Sequence, residues 1–501
     1  MNPESPSNTD QDALLRAGID RSLRHPVMFF MSSAAAWLAV SIVLGIISSA
    51  KVHAPNFMAD CAWLTYGRVF PAHINTLVYG WGFQAAFAVI IWLTARLSRK
   101  ECTAAGIILA AGHVWNFGVL AGTIGILAGN GTGMPWMEFP AFAWPVLLGS
   151  YFMIAIWSFI QFRVRPAGHV YISQWYLLGA MVWFPWIYLT ANILLHCLPG
   201  HPLMAAAINA WFKSAMIFLF FTPIALGTAY YLTPKVTGRA VHSYSLAKLG
   251  FWSLAIIAPW AGMQHLAGAP IPPFLPYVGA AATVLLFIPS VAASINLIRT
   301  ALSSREILAG SPSLRFTVAG VVGLLTLAFA AVVLNLPGSS LQLTQFSLSG
   351  YGFEILALYG FFSLTMFGAF YFIVPRVTRR EWLSRRLITM HFTLSVYGIV
   401  SVALFALFGG LQQGVGQEDW TKPFSSAATR AYPYAVGTTV AWCFILISNV
   451  FFFIHLTLMW LRLGRRSSHP TLLVAHHAHG PGPHGEEGDI DNAGPGHVPA
   501  H

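Results

Sequence analysis

Eight ionisable side chains fall inside long apolar stretches of this 501-residue sequence: His73, His113, His196, Lys213, His265, Glu354, His391 and His455. Imidazole is a ligand for haem iron and for copper, and a carboxylate or amine at membrane depth can relay protons. Such groups are costly in hydrocarbon and mark functional candidates by default. Each also has a plainer use. A lone intramembrane histidine commonly bridges two helices by a hydrogen bond, and His196 and His455 stand near the ends of their stretches, within reach of water. Lys213 (in AWFKSAMIF) and Glu354 (in SGYGFEILALYGF) lie well inside theirs, where an unpaired charge costs about 2.5 kcal/mol or more. The simplest resolution is that the two face each other or a wet cavity.

The elements that must hold these groups follow from composition. The chain is 56% hydrophobic and 9% charged, against about 25% charge in a soluble domain. That excludes a soluble enzyme and a disordered chain. Twelve apolar runs are long enough to span a bilayer, near 28–50, 71–97, 104–128, 140–162, 170–196, 203–232, 244–267, 274–299, 314–336, 347–374, 387–409 and 433–461. An unpaired backbone amide in lipid costs several kcal/mol, so the spans are helices or a closed barrel. Runs of about 20 apolar residues exclude the barrel, whose strands alternate over about 10. The sequence therefore predicts an all-α membrane protein of twelve transmembrane helices over 28–462. A polar segment, 1–27, precedes it, and a His-, Gly- and Pro-rich tail over 463–501 is expected to be disordered.

All of the 27 Lys and Arg except Lys51, Arg68, Lys213, Lys422 and Arg430 fall on one side of this topology. Cytoplasmic loops collect basic residues, so both termini are expected in the cytoplasm and the protein in a bacterial-type inner membrane. The formal charge of +11 is then explained by topology and contact with membrane lipid, and calls for no nucleic acid. The four cysteines form no CxxC or CxxCH, so neither covalent haem attachment nor a disulfide framework is indicated. Residues 1–27 do not read as a cleavable signal.

Several segments together resemble subunit I of the haem–copper oxidases, specifically the cbb3-type branch with nitric oxide reductase as its neighbour. They are YGRVFPAHINTLVYG in the second span, HVYISQWYL at the start of the fifth, YYLTPKVTGRAVHSYSL after the sixth, PWAGMQHL ending the seventh, YFIVPRVTRREWLSRRLITMHF between the tenth and eleventh, and LQQG near the end of the eleventh. The likeness runs from about residue 28 to 462. It implies the twelve-helix bundle of that family, a role in respiratory electron transfer, and a partner such as a membrane-anchored c-type cytochrome.

The family's chemistry needs six histidines: two for a low-spin haem b, one for a high-spin haem, and three for copper. Carried over position by position, the resemblance puts a low-spin haem ligand at His73, with Arg68 available to a propionate. It puts one copper-ligand position at His265. The remaining positions fall at Ser214, Gln264, Gly350 and Gly352, and the reactive tyrosine of the cbb3-type branch falls at Ala258. Apart from any alignment, the sixth and tenth spans contain no histidine. The expectation is a non-catalytic or electron-transfer subunit with no copper and no haem, or at most one b-type haem at His73. Lys213 and Glu354 are expected to pair within the former cofactor cavity. Two other readings are an active terminal oxidase or nitric oxide reductase rebuilt from His113, His391 and His455, and a proton or ion conduit through the emptied cavity.

Overall fold

The computed structural model describes residues 8–197, 200–338 and 340–466. Twelve helical spans cross the bundle: Gln11–His53, Tyr66–Ser98, Ala105–Ala128, Ala143–Arg163, Ile172–Cys197, Pro202–Thr237, Tyr244–Leu266, Phe274–Leu302, Pro312–Leu334, Leu348–Thr378, Arg385–Glu418 and Ser425–Trp460. Odd-numbered spans end, and even-numbered spans begin, on the face away from Asn8 and Arg466, called here the distal face. The tail expected from residue 463 lies outside the described residues beyond Arg466.

Burial divides the spans into two classes. The second, sixth and tenth are enclosed along almost their whole apolar length, while the other nine are about half-buried and turn residues such as Val40, Phe117, Trp252 and Phe408 outward. Aromatic side chains join the three inner spans at mid-depth. Phe83 stacks on Phe220 with ring centroids 4.3 Å apart, Phe221 meets Phe362 at 4.9 Å, and Trp81 meets Phe367 at 5.1 Å. Each such pair adds about 0.5–1.5 kcal/mol beyond its area burial. Trp81 Nε1 also donates to Ser363 Oγ at 2.6 Å, which satisfies an indole N–H that has no water to turn to.

Each inner span contains a π-helical stretch at this depth: Thr76–Gly82, Met216–Phe221 and Leu356–Ser363. A π-turn widens the helix and is common at functional sites. The Thr76 hydroxyl donates to Ala72 O and the Ser363 hydroxyl to Leu358 O, so side chains take up backbone carbonyls beside the altered ladder.

Several boundaries differ from the sequence reading. The first helix begins at Asn8 and runs through Pro26 without a break. The eleventh continues to Glu418 and the twelfth starts at Ser425, because Gln, Glu, Ala and Arg extend a helix after the apolar run has stopped. The seventh is helical only over Tyr244–Ile257 and closes in two tight turns, Ala258–Trp260 and Met263–Leu266. The eighth changes direction at Leu286, between Phe274–Leu285 and Phe287–Leu302.

Candidate functional site

A chamber of about 750 Å³ opens on the distal face and reaches down to Lys213 and Glu354. Its walls are largely aromatic and aliphatic, contributed by the inner spans, by the ends of the first, seventh, ninth, eleventh and twelfth, and by the loop joining the third to the fourth. At its base Lys213 Nζ lies 2.7 Å from Glu354 Oε1. Side-chain exposures of 23% and 16% mean that both charges still touch the chamber. The second carboxylate oxygen accepts from Trp136 Nε1 at 2.9 Å.

Trp136 reaches Glu354 from a tightly held loop. Its backbone is left-handed, with φ +68°, which is rare for a bulky side chain and persists only where surroundings impose it. Tyr79 Oη donates to Trp136 O and Asn209 Nδ2 to Pro135 O, each at 2.8 Å. Two residues on, Glu138 is buried and its Oε2 accepts from Asn75 Nδ2 at 2.5 Å. Burial pushes the Glu138 carboxyl up to about 7, and the nearby Glu354 charge adds to this while the Asn75 hydrogen bond opposes it. The distal chamber therefore carries two carboxyl groups and one ammonium.

Of the positions that the resemblance assigns to metal chemistry, Ser214, Gln264, His265 and Gly350 border the chamber. Gln264 turns its carbonyl oxygen back to accept from Gly262 N at 2.8 Å, which closes the turn at the end of the seventh span. His265 is exposed towards the chamber. A Cβ on Gly350 would meet nothing within 4 Å. Ala258 and Gly352 stand apart. Ala258 is buried in the turn after Ile257, and a Cβ on Gly352 would lie 3.0 Å from Ala406 Cβ and 3.1 Å from Leu407 N. The tenth and eleventh spans thus close against each other at Gly352.

His73 is fully buried and both ring nitrogens are engaged. The network assigns Nδ1–H as donor to Ser41 O at 2.7 Å, leaving Nε2 to accept from Tyr351 Oη at 3.3 Å. Trp442 Nε1 in turn donates to Tyr351 Oη at 3.0 Å, and the Trp442 ring stands edge-on to His73 at 5.2 Å. On the first span, a Cβ on Gly45 would fall 2.7 Å from His73 Cε1. An axial haem ligand needs a free Nε2 lone pair and a slot for the macrocycle. Here the lone pair faces the Tyr351 hydroxyl and the ring is wedged between two helices and an indole. Arg68 donates to Leu127 O at 3.2 Å and does not border the chamber.

The other histidines are dispersed. His113 is on the exposed face of the third span, its Nδ1 2.7 Å from Leu109 O. His196 is exposed. His391 is buried against Phe316, Phe367 and Phe452, with Nδ1 2.8 Å from Tyr371 Oη. His455 Nε2 accepts from Ser384 N at 3.3 Å. Among the described residues, no three His, Cys, Asp or Glu are grouped so that they could hold a metal. His113, His391 and His455 share no such group among the described residues.

Four participants escaped the sequence reading: Tyr351, Trp442, Trp136 and Glu138. Tyr351 sits between the two glycines that drew attention and was hidden by them. Glu138 is a single acid within PWMEFP, a signal overlooked because the segment lies just outside any apolar run.

With this geometry in view, the relatives are informative. Residues 25–444 match the family described as cytochrome c and quinol oxidase polypeptide I. The chain is 26% identical over 392 residues to the cbb3-type cytochrome c oxidase subunit CcoN1 of Stutzerimonas stutzeri, covering 76% of this chain and 81% of that one. It is 24% identical over 394 residues to a cytochrome c oxidase subunit 1 homolog of Azorhizobium caulinodans, covering 76% and 70%. A heme-copper terminal oxidase dimer solved by cryo-EM has a chain of the same fold, with a TM-score of 0.66 at 15% identity, covering 91% of this chain and 88% of that one.

Proposed function

The chain belongs to the cytochrome c and quinol oxidase polypeptide I family, and we propose that it is a member without the dinuclear metal centre, serving as a non-catalytic membrane scaffold in a respiratory redox complex. The observation that carries this reading is the Lys213–Glu354 pair at 2.7 Å in the distal chamber, together with the hydroxyl of Tyr351 on His73 Nε2. Reduction of dioxygen or nitric oxide by such a protein needs a haem iron and a second redox metal held close together, chiefly by imidazoles. Here the chamber base presents an ion pair, and the nearest histidine on it is a single one, His265. The scaffold reading puts both termini in the cytoplasm and the chamber on the opposite side of an inner membrane. It gives the chain a respiratory partner, a membrane-anchored c-type cytochrome being the natural candidate from the relatives.

Oxygen and nitric oxide uptake by membranes that carry this chain as their sole family member tests the proposal. The expected rate equals that of membranes lacking the chain, and uptake that tracks its abundance would overturn the reading.

A proton conduit is the second reading, favoured by the partial exposure of Lys213 and Glu354. Trp81 packs on Phe367 and Phe221 on Phe362 between the inner spans. In that reading the chamber serves as a vestibule only. Proton flux in vesicles that is lost in Glu354→Gln would favour it over the scaffold.

A further inference from the structure

On the face opposite the distal chamber, three arginines from distant parts of the sequence converge. Arg24 is on the first helix, Arg380 in the turn between the tenth and eleventh spans, and Arg462 just after the twelfth. The first helix packs against both the tenth and the twelfth spans, which brings Arg24 within electrostatic range of Arg380 and Arg462. Among the described residues no ion pair joins any of the three to an acid.

The backbone is built to keep them together. Arg462 is left-handed, with φ +58°, which reverses the chain as it leaves the twelfth span. The reversed strand is then pinned to the turn after the tenth span. Arg380 Nη1 donates to Gly464 O at 2.6 Å and Glu381 N to Arg465 O at 3.0 Å, and Arg380 and Arg466 form an antiparallel bridge. The approach is tight, since a Cβ on Gly464 would fall 2.3 Å from Glu381 O. A fold that spends backbone geometry on bringing like charges together leaves an anion as the missing component. Trp460, Leu461 and Leu463 flank the cluster and are each more than half exposed. Cationic heads beside exposed apolar side chains match an anionic lipid better than a free ion, because the acyl chains bury the apolar surface while the phosphate takes the charge.

The geometry points to a binding site for the phosphate of an anionic phospholipid at Arg24, Arg380 and Arg462, staplings the first, tenth and twelfth spans through the headgroup. The site stands apart from the distal chamber and does not depend on the function proposed for it.

The test compares the full chain with Arg24→Gln, Arg380→Gln and Arg462→Gly. The last removes the charge while keeping a residue that adopts positive φ at no steric cost. Thermal unfolding in detergent is followed with added phosphatidylglycerol, with phosphatidylcholine, and with inorganic phosphate at matched concentration. The expected result is stabilisation by phosphatidylglycerol alone, reduced at least by half in Arg24→Gln and in Arg462→Gly. Native mass spectrometry should show the matching loss of retained phosphatidylglycerol. Equal stabilisation by phosphatidylcholine, equal stabilisation by inorganic phosphate, or unchanged lipid retention in both of those variants would each overturn the assignment.

Discussion

At the scale of single residues, three hydrogen-bonded groups carry the account. The Lys213–Glu354 pair is mostly buried, and removing one partner of such a pair strands the other charge, at a cost of about 3 kcal/mol. Glu354→Gln should therefore destabilise the protein by that order, and the double change with Lys213→Met should restore most of the loss. Unfolding in graded denaturing detergent measures both, and equal losses in the single and double variants would show that the charges act separately. Tyr351→Phe leaves His73 Nε2 and the Trp442 indole without their shared hydroxyl, at about 1–3 kcal/mol. In a double-mutant cycle with Trp442→Phe, the second change should cost much less once the first is made.

Glu138 adds a pH dependence with a definite sign. Its carboxyl is raised from an ordinary 4.5 to about 7 in the folded protein. Below 4.5 both folded and unfolded chains hold the proton. Between the two values the folded chain binds it and the unfolded chain does not, so stability falls as pH rises through this window and levels off above about 7. Glu138→Gln should flatten the fall, as read from melting temperatures at pH 5 and pH 8. A slope unchanged in the variant would assign the effect elsewhere.

At the scale of elements, the two glycines of the tenth span make opposite predictions. Gly350→Ala places a methyl in open chamber space and should be neutral or stabilise the helix by up to about 1 kcal/mol. Gly352→Ala forces the tenth and eleventh spans apart at Ala406 and Leu407 and should destabilise, with the difference between the two read from the same unfolding assay. The sequence offered both glycines as equivalent vacated positions. Only the helix contacts distinguish them, since a missing side chain reads alike whether it faces a cavity or a neighbour's backbone. The spans themselves were legible because lipid demands long apolar runs. Their ends were less so where helices outlast the membrane, as at Glu418. The π-turns at Thr76–Gly82 and Leu356–Ser363 left no pattern that a periodicity could detect.

For the whole molecule, the burial of the second, sixth and tenth spans accounts for three of the costliest residues. These are the spans that hold His73, Lys213 and Glu354, whereas His391 and His455 are buried on the inward faces of the eleventh and twelfth. That grouping was readable from the sequence as a set of costly residues needing partners. Which partners they found was not, because the Trp136 loop lies outside the apolar runs and Tyr351 is masked by the glycines on either side of it. The likeness to oxidase subunits gives the scaffold, and the side chains within it decide the chemistry.

The count of haem and copper per purified chain tests that decision most directly. A pyridine haemochrome spectrum with metal analysis should give no copper and less than one haem per chain. Two haems and one copper per chain would contradict the account.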